Sequence, residues 1–106
     1  MRILLDECID WRLKFEFKGF ELKTVKEMGW SGKVNGELLR SLLESGFDVL
    51  ITVDKNLRFQ QNIKNLKLSV IVLDVERNTL RNLKPLIPNL IKFIPDIKVG
   101  EVYVVK

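Results

Sequence analysis

Two apolar stretches of this sequence end in carboxylates. The segment RILL at residues 2–5 is followed directly by Asp6 and Glu7, and FDVLITV at residues 47–53 is followed by Asp54. Each stretch is typical of a buried β-strand. Carboxylates gathered at one edge of a sheet repel one another unless a cation neutralises them, and Mg²⁺ and similar hard cations prefer oxygen ligands. The pattern therefore predicts a metal site, provided that the two strands end at the same edge.

The composition narrows the chemistry that such a site can perform. The chain of 106 residues contains no histidine and a single cysteine, Cys8. Ser-His-Asp and Cys-His catalysis, the common histidine metal sites, an internal disulfide and a zinc site with several cysteines are therefore excluded. A hydrolase of this composition would rely on carboxylates and a bound metal ion. The net charge of +4 permits a polyanionic partner, although a lysine-rich solvated exterior explains it as well.

Strand patterns alternate with helical patterns along the chain. The predicted strands cover residues 2–5, 21–25, 47–53, 68–74 and 100–106. The predicted helices lie within residues 9–20, 35–46, 58–66 and 79–97, with Asn35 as an N-cap and three prolines interrupting the last one. Continuously apolar strands are buried on both faces. We therefore expect an α/β fold, a three-layer α/β/α sandwich with a mostly parallel sheet of about five strands.

Ligands of such sheets bind at the carboxyl ends of the strands. Asp6 and Asp54 would meet there, and Glu37 would join them because the helix that precedes the Asp54 strand begins at this edge. These three residues are the predicted catalytic and metal-binding residues, with Mg²⁺ or Mn²⁺ as the cofactor. Purely structural roles remain open: Asp6 as a helix cap, Asp54 as a turn residue and Glu37 as a first-turn acid that suits the helix dipole.

Further polar and aromatic residues fall near the same predicted edge. Those that could support the metal ligands or contact RNA are Glu7, Asn35, Lys55, Asn56 and Arg58. Trp30 and Phe59 are candidates for stacking on bases, although for Trp30 we favour packing as a loop anchor. Trp11 is assigned to the core or to a helix face.

The segments MRILLDE, NGELL, VLITVDKNL and GEVYVV, in this order, resemble the small PIN-like proteins of bacterial and archaeal toxin–antitoxin loci, which are relatives of VapC-type toxins. The resemblance runs along nearly the whole chain and implies one PIN-like domain over residues 1–106. It also implies an Mg²⁺- or Mn²⁺-dependent endoribonuclease that acts as a toxin, with RNA as substrate, a cognate antitoxin as partner and a homodimer as a possible assembly. The acids of the family fall on Asp6, Glu37 and Asp54.

The chain also departs from the PIN-like pattern. Cys8 stands where such relatives commonly have a polar residue, and Asn35 and Asn56 stand where many have an acid. A catalytically degenerate PIN-like module that binds only protein is therefore one alternative.

A second alternative is a receiver-like phosphoacceptor domain, with Asp54 as the acceptor. Asp6, Glu7, Asp54 and Lys106 follow the layout of such domains, although the fourth strand lacks the Ser or Thr expected at its end.

No apolar run is long enough to span a bilayer, and the N-terminus does not resemble a signal peptide, so we expect no membrane partner and a cytoplasmic location.

Overall fold

The computed structural model describes residues 1–56 and 63–106. Five strands form its centre. They are β1 (Arg2–Leu5), β2 (Glu21–Thr24), β3 (Val49–Thr52), β4 (Ser69–Leu73) and β5 (Val102–Val105). Each lies within the stretch that the apolar pattern predicts.

The strands form one sheet in the order β2-β1-β3-β4-β5, and every neighbouring pair is parallel. The predicted α/β class with a mostly parallel five-stranded sheet is therefore confirmed. From β1 the chain passes to β2, which pairs with one edge of β1. It then returns to β3, which pairs with the other edge of β1. The crevice between the carboxyl ends of β1 and β3 is thus the switch point of the sheet, the place where open α/β sheets bind ligands.

Within the described residues, three α-helices and several 3₁₀ turns connect the strands. The helices are α1 (Asn35–Glu44), α2 (Leu80–Leu83) and α3 (Ile87–Phe93), and the 3₁₀ segments are Trp11–Glu16, Ile63–Asn65, Lys84–Leu86 and Ile94–Asp96. The predicted N-cap is wrong by one residue, because α1 already includes Asn35 and its N-cap position is Val34, which makes no side-chain cap. The predicted helix over residues 58–66 falls partly outside the described residues.

The predicted last helix is divided by its prolines. Pro85, Pro88 and Pro95 each occupy the first or second position of a short helical segment. Proline is tolerated at this position because its missing N–H would have no partner within the helix, whereas an interior proline breaks the helix. The first predicted helix is also shorter than expected and forms only the 3₁₀ segment Trp11–Glu16, in which Leu13 is buried.

Each face of the sheet carries a buried apolar cluster. Ile3, Leu5 and Ile51 pack on one face with the 3₁₀ segment near the N-terminus and with α2 and α3. Leu4 and Leu50 point to the other face, where they pack with the apolar stripe of α1. This alternation follows from the period of two along a strand. Because both faces are covered, polar side chains are left to the strand ends. No helix in the described part of the chain is long and apolar enough to cross a membrane.

Candidate functional site

A buried hydroxyl connects the ends of β1 and β3. The Asp6 amide donates to the Ile51 carbonyl at 2.9 Å, which continues the pairing of the two strands past β1. The Thr52 hydroxyl donates to Asp6 Oδ2 at 2.7 Å, and the Asp54 amide donates to the same Thr52 oxygen at 3.1 Å. The parallel strands therefore bring the predicted acids Asp6 and Asp54 to one point of the sheet edge.

Thr52 is the component of this site that the sequence analysis does not predict. Its side chain is fully buried, and it ends the otherwise apolar strand VLIT. A buried hydroxyl is costly unless it is hydrogen-bonded, so a threonine at an interior strand position implies a polar partner nearby. A polar residue at the end of an apolar strand, directly before the turn that carries Asp54, is the sequence signal that indicates this role of Thr52.

Main-chain amides orient the two carboxylates. Oδ1 of Asp6 accepts a hydrogen bond from the Glu7 amide at 2.8 Å. Oδ1 of Asp54 accepts one from the Asn56 amide at 2.9 Å, as in an Asx turn. Both aspartates are half-buried. The turn role that the sequence allows for Asp54 is therefore present, and it fixes the direction of the carboxylate at the sheet edge.

The Cys8 side chain lies against this network. Its sulfur is 3.7 Å from Thr52 Oγ1. Although the residue as a whole is exposed, partial burial of the thiol raises its pKa, and the negative charge of Asp6 raises the pKa further. The thiolate is the nucleophilic form of cysteine, and a raised pKa favours the neutral thiol. Nδ2 of Asn78 donates to the Cys8 carbonyl at 2.7 Å and ties the loop after β4 to this turn.

Two of the predicted supporting residues hold neighbouring loops together. Oε1 of Glu7 accepts a hydrogen bond from the Gly32 amide at 3.0 Å, which joins the turn after β1 to the loop that leads to α1. Nζ of Lys55 lies 2.6 Å from Oδ1 of Asp74, which joins the turns after β3 and β4. Both contacts lie at the edge that carries Asp6 and Asp54.

The remaining predicted residues are placed as follows. Glu37 lies in the first turn of α1 and is exposed. Across residues 1–56 and 63–106, no three side chains of His, Cys, Asp or Glu are grouped so that they could hold a metal ion. The metal-binding roles of Asp6, Glu37 and Asp54 therefore stay a prediction. Asn35 is the first residue of α1, and Arg58 and Phe59 lie outside the described residues.

A cleft of about 720 Å³ opens beside Asp6. The turn after β1 forms one wall of the cleft. The loop after β2 and Asn78 form the rest of its lining. Its lining residues are Asp6, Glu7, Cys8, Ile9, Asp10, Trp11, Arg12, Thr24, Lys26, Ser31 and Asn78. Acidic and basic side chains thus share one cavity with an aromatic ring.

Of the two tryptophans, only Trp30 follows the sequence prediction. It is half-buried and packs edge-to-face against Phe47, with ring centroids 5.8 Å apart, so it is the loop anchor that the sequence favours. Trp11, assigned above to the core or a helix face, is instead 57% exposed and lines the cleft. A 3₁₀ helix has three residues per turn, so Trp11 and Leu13, two positions apart, lie on different faces, and Leu13 is on the buried one.

Arg12 forms a close ion pair at the cleft wall. Its Nη2 lies 2.6 Å from Oδ2 of Asp10, and its Nε donates to Oδ1 of the same carboxylate at 3.0 Å. The hydrogen bonds from Arg12 lower the pKa of Asp10 to about 2. Asp10 is therefore ionised throughout the neutral range, and its charge is balanced by Arg12.

The donor chemistry at the strand ends fits a small divalent cation. Mg²⁺ is commonly bound by one or two carboxylates, with water and substrate phosphates as its other ligands. Thr52 bonds to the Asp6 carboxylate and to the main-chain amide of Asp54, so two acidic residues lie at the switch point of the sheet. The chain matches no family model, no curated protein and no solved structure. Its function is therefore inferred from these residues.

Proposed function

We propose that this chain is an Mg²⁺- or Mn²⁺-dependent endoribonuclease whose centre is Asp6 and Asp54. The observation that carries the proposal is the link through Thr52, whose hydroxyl bonds to the Asp6 carboxylate at 2.7 Å and to the Asp54 amide at 3.1 Å. It supports a shared role for two carboxylates that are far apart in sequence, at the edge where parallel α/β sheets bind ligands.

Asp6 and Asp54 would hold the metal, with Glu37 as the third predicted ligand. A divalent ion held there supplies an activated water and neutralises charge on a phosphodiester. The chain's own groups prepare the site beforehand, because Thr52 and the Glu7 amide fix both oxygens of Asp6.

RNA is the proposed substrate because of the surface beside Asp6. Lys26 and the ring of Trp11 line this cleft together with Asp6 and suit a phosphate and a base, whereas Arg12 is already paired with Asp10. The resemblance to PIN-like toxins adds the rest of the proposal: a toxin in the cytoplasm, a cognate antitoxin that neutralises it, and a homodimer as its assembly.

Cleavage of a labelled single-stranded RNA in the presence of Mn²⁺ tests this function. We expect Asp6→Asn and Asp54→Asn each to lower the rate by at least about 100-fold, beyond the roughly 10- to 100-fold effect of residues that only support metal ligands. We expect the thermal unfolding transition to change little.

Asp96→Asn is the matched control, because it makes the same chemical change at an exposed position in the segment before β5, at the opposite edge of the sheet. It should cleave as the unmodified chain does. Cleavage that persists in both Asp6→Asn and Asp54→Asn would rule out this mechanism.

The strand order favours one other candidate. The order 2-1-3-4-5 is that of flavodoxin-like and receiver domains. In a receiver-like protein Asp54 would accept a phosphoryl group. Against this, Lys106 borders a separate cavity of about 390 Å³ near Phe93 and Tyr103 and is not among the residues that line the Asp6 cleft. Incubation with acetyl phosphate decides the matter: a mass gain of one phosphoryl group, absent in Asp54→Asn, would favour the receiver-like function over the nuclease.

A further inference from the structure

The two outer strands of the sheet differ in the side chains that they carry. In the order β2-β1-β3-β4-β5, the edges are β2 and β5. The β2 sequence ELKT includes Glu21 and Lys23, and charged residues are a common protection of an edge strand against pairing with another chain. The β5 sequence VYVV has no charged residue, proline or glycine, and its Val104 is 40% exposed. The β5 strand therefore lacks these protections.

The outer side of β5 presents main-chain groups that can pair. On the inner side, amides of β4 and of the residue after it donate to the carbonyls of Glu101 and Val105, at 3.0 and 2.7 Å. Because the main-chain groups of successive residues point to alternate sides of a strand, the N–H and C=O of Val102 and Val104 point away from β4. Among the described strands, none pairs with this side of β5.

We infer that two copies of this chain pair through β5, antiparallel and across a two-fold axis, so that their sheets become one. The inference rests on the homodimer within the proposed function and assigns the surface that forms it. In this arrangement Val102 of each copy lies opposite Val104 of the other, and each such pair exchanges both of its N–H···O bonds. The two Tyr103 residues then lie opposite each other at the axis. The strand thus complements itself, as a two-fold interface requires.

The charges at the ends of β5 favour a second copy as the occupant. Glu101 precedes the strand and Lys106 follows it, and both are exposed. An antiparallel copy runs in the reverse direction, so Lys106 of each copy lies beside Glu101 of the other, whereas a parallel copy would place like charges together. A strand of this same sequence therefore matches both charges of the edge.

An apolar groove lies next to this edge. Its volume is about 390 Å³, and its lining residues are Asn89, Leu90, Phe93, Tyr103, Val104, Val105 and Lys106. The Phe93 and Tyr103 rings meet edge-to-face with centroids 4.8 Å apart, and the Tyr103 hydroxyl accepts a hydrogen bond from the Lys98 amide at 2.8 Å. Tyr103 is therefore held in place before pairing. Burial of the apolar surface beside it would add to the modest net gain from main-chain hydrogen bonds.

This pairing keeps the two candidate metal sites apart. All strands of the sheet are parallel, so the carboxyl edges of two copies in antiparallel contact point in opposite directions. Asp6 and Asp54 of one copy therefore form their site without a residue of the other copy. We expect a monomeric variant to retain the Mn²⁺ binding and RNA cleavage of the unmodified chain.

Sedimentation equilibrium over a range of micromolar concentrations tests the pairing, and we expect about twice the mass of one chain. Val104→Lys places a charge on the edge, and the two-fold axis makes the two new lysines diagonal neighbours. We expect its dimer dissociation constant to rise at least about 10-fold, because like charges across an interface repel. Val99→Lys is the matched control, since it adds the same charge at a 69% exposed valine before β5, and it should stay dimeric. Circular dichroism verifies that each variant is folded.

A cross-link tests the antiparallel register. In a chain that carries Cys8→Ser, no native cysteine remains, and Tyr103→Cys would bring two thiols together at the axis. Residues of a non-hydrogen-bonded antiparallel pair have Cα atoms about 4.5 Å apart, which is within the range of a disulfide. We expect oxidised glutathione to convert this variant to a covalent dimer. Val99→Cys in the same Cys8→Ser chain should give little.

The outcomes separate the dimer from the nuclease. An unmodified chain that is monomeric at every concentration would overturn the pairing and leave the edge to a strand of another protein, even if that chain cleaves RNA. A dimer that Val104→Lys leaves intact, or a folded Tyr103→Cys variant that forms no cross-link, would overturn β5 as the shared surface. Dimerisation that depends on Val104, without any Mn²⁺-dependent cleavage, would support the pairing and overturn the nuclease.

Discussion

At the scale of single residues, Thr52 explains why two acids meet. It is fully buried, and its hydroxyl donates to Asp6 while accepting from the Asp54 amide. Asp6 and Asp54 could be predicted because each directly follows an apolar strand. Thr52 has a weaker signal: a threonine that ends an apolar strand indicates a polar partner, but which partner it has depends on the strand that lies beside it.

Replacing Thr52 by valine keeps the shape of the side chain and removes the hydroxyl. We expect a loss of about 1–3 kcal/mol in the free energy of unfolding, because a half-buried carboxylate loses a donor. We also expect weaker Mn²⁺ binding, since Asp6 is no longer held in one orientation. Urea unfolding and metal titration measure the two effects. Thr52→Ser should retain more of both properties, and a valine variant that matches the unmodified chain in both would contradict the role assigned to this hydroxyl.

Asp10 gives a prediction about acid stability. The Arg12 hydrogen bonds lower its pKa in the folded chain from 3.8 to about 2, so the ion pair stabilises the fold above about pH 4. This contribution is lost as the pH falls towards 2. Between these pH values the unmodified chain should lose stability more steeply than Asp10→Asn, by a small amount because the pair is exposed to solvent. Thermal unfolding across this range measures it, and identical slopes would contradict the prediction.

At the scale of elements, strand patterns predicted the fold better than helical patterns did. All five strands lie within the predicted stretches, and the three central ones, β1, β3 and β4, are buried on both faces, which leaves little choice of residue type. The helices were less predictable. Spacing suggested a long first helix, but the chain forms only a six-residue 3₁₀ segment, and the three prolines divide the last helix into short pieces. Short helical segments carry a weak periodic signal, since most helix stability comes from tertiary packing.

The central strand provides the test at this scale. Leu50 lies in β3 and is fully buried against α1. Leu50→Ala should lower the free energy of unfolding by about 2–5 kcal/mol, because it removes buried methyl groups and leaves a cavity. Val99, which is 69% exposed, is the control, and Val99→Ala should change stability by less than about 0.5 kcal/mol. Urea unfolding measures both, and equal effects would contradict the assigned core.

At the scale of the whole molecule, the sheet order determines which residues can act together. Sequence pattern predicted a parallel sheet but could not give the order β2-β1-β3-β4-β5, which depends on long-range packing. That order places Asp6 and Asp54 on adjacent strands. The same packing brings Asn78, which follows β4, against the Cys8 carbonyl and leaves Trp11 open at the cleft. Neither contact has a local sequence signal, and both shape the surface that a substrate would meet.

The most direct test of the central claim is a calorimetric titration of the folded chain with Mn²⁺ at millimolar concentrations. If Asp6 and Asp54 form one metal centre, the unmodified chain should bind Mn²⁺ saturably, Asp96→Asn should bind it equally well, and Asp6→Asn and Asp54→Asn should each lose the binding. Mn²⁺ binding that is unchanged in both site variants, or no binding to the unmodified chain, would contradict the account.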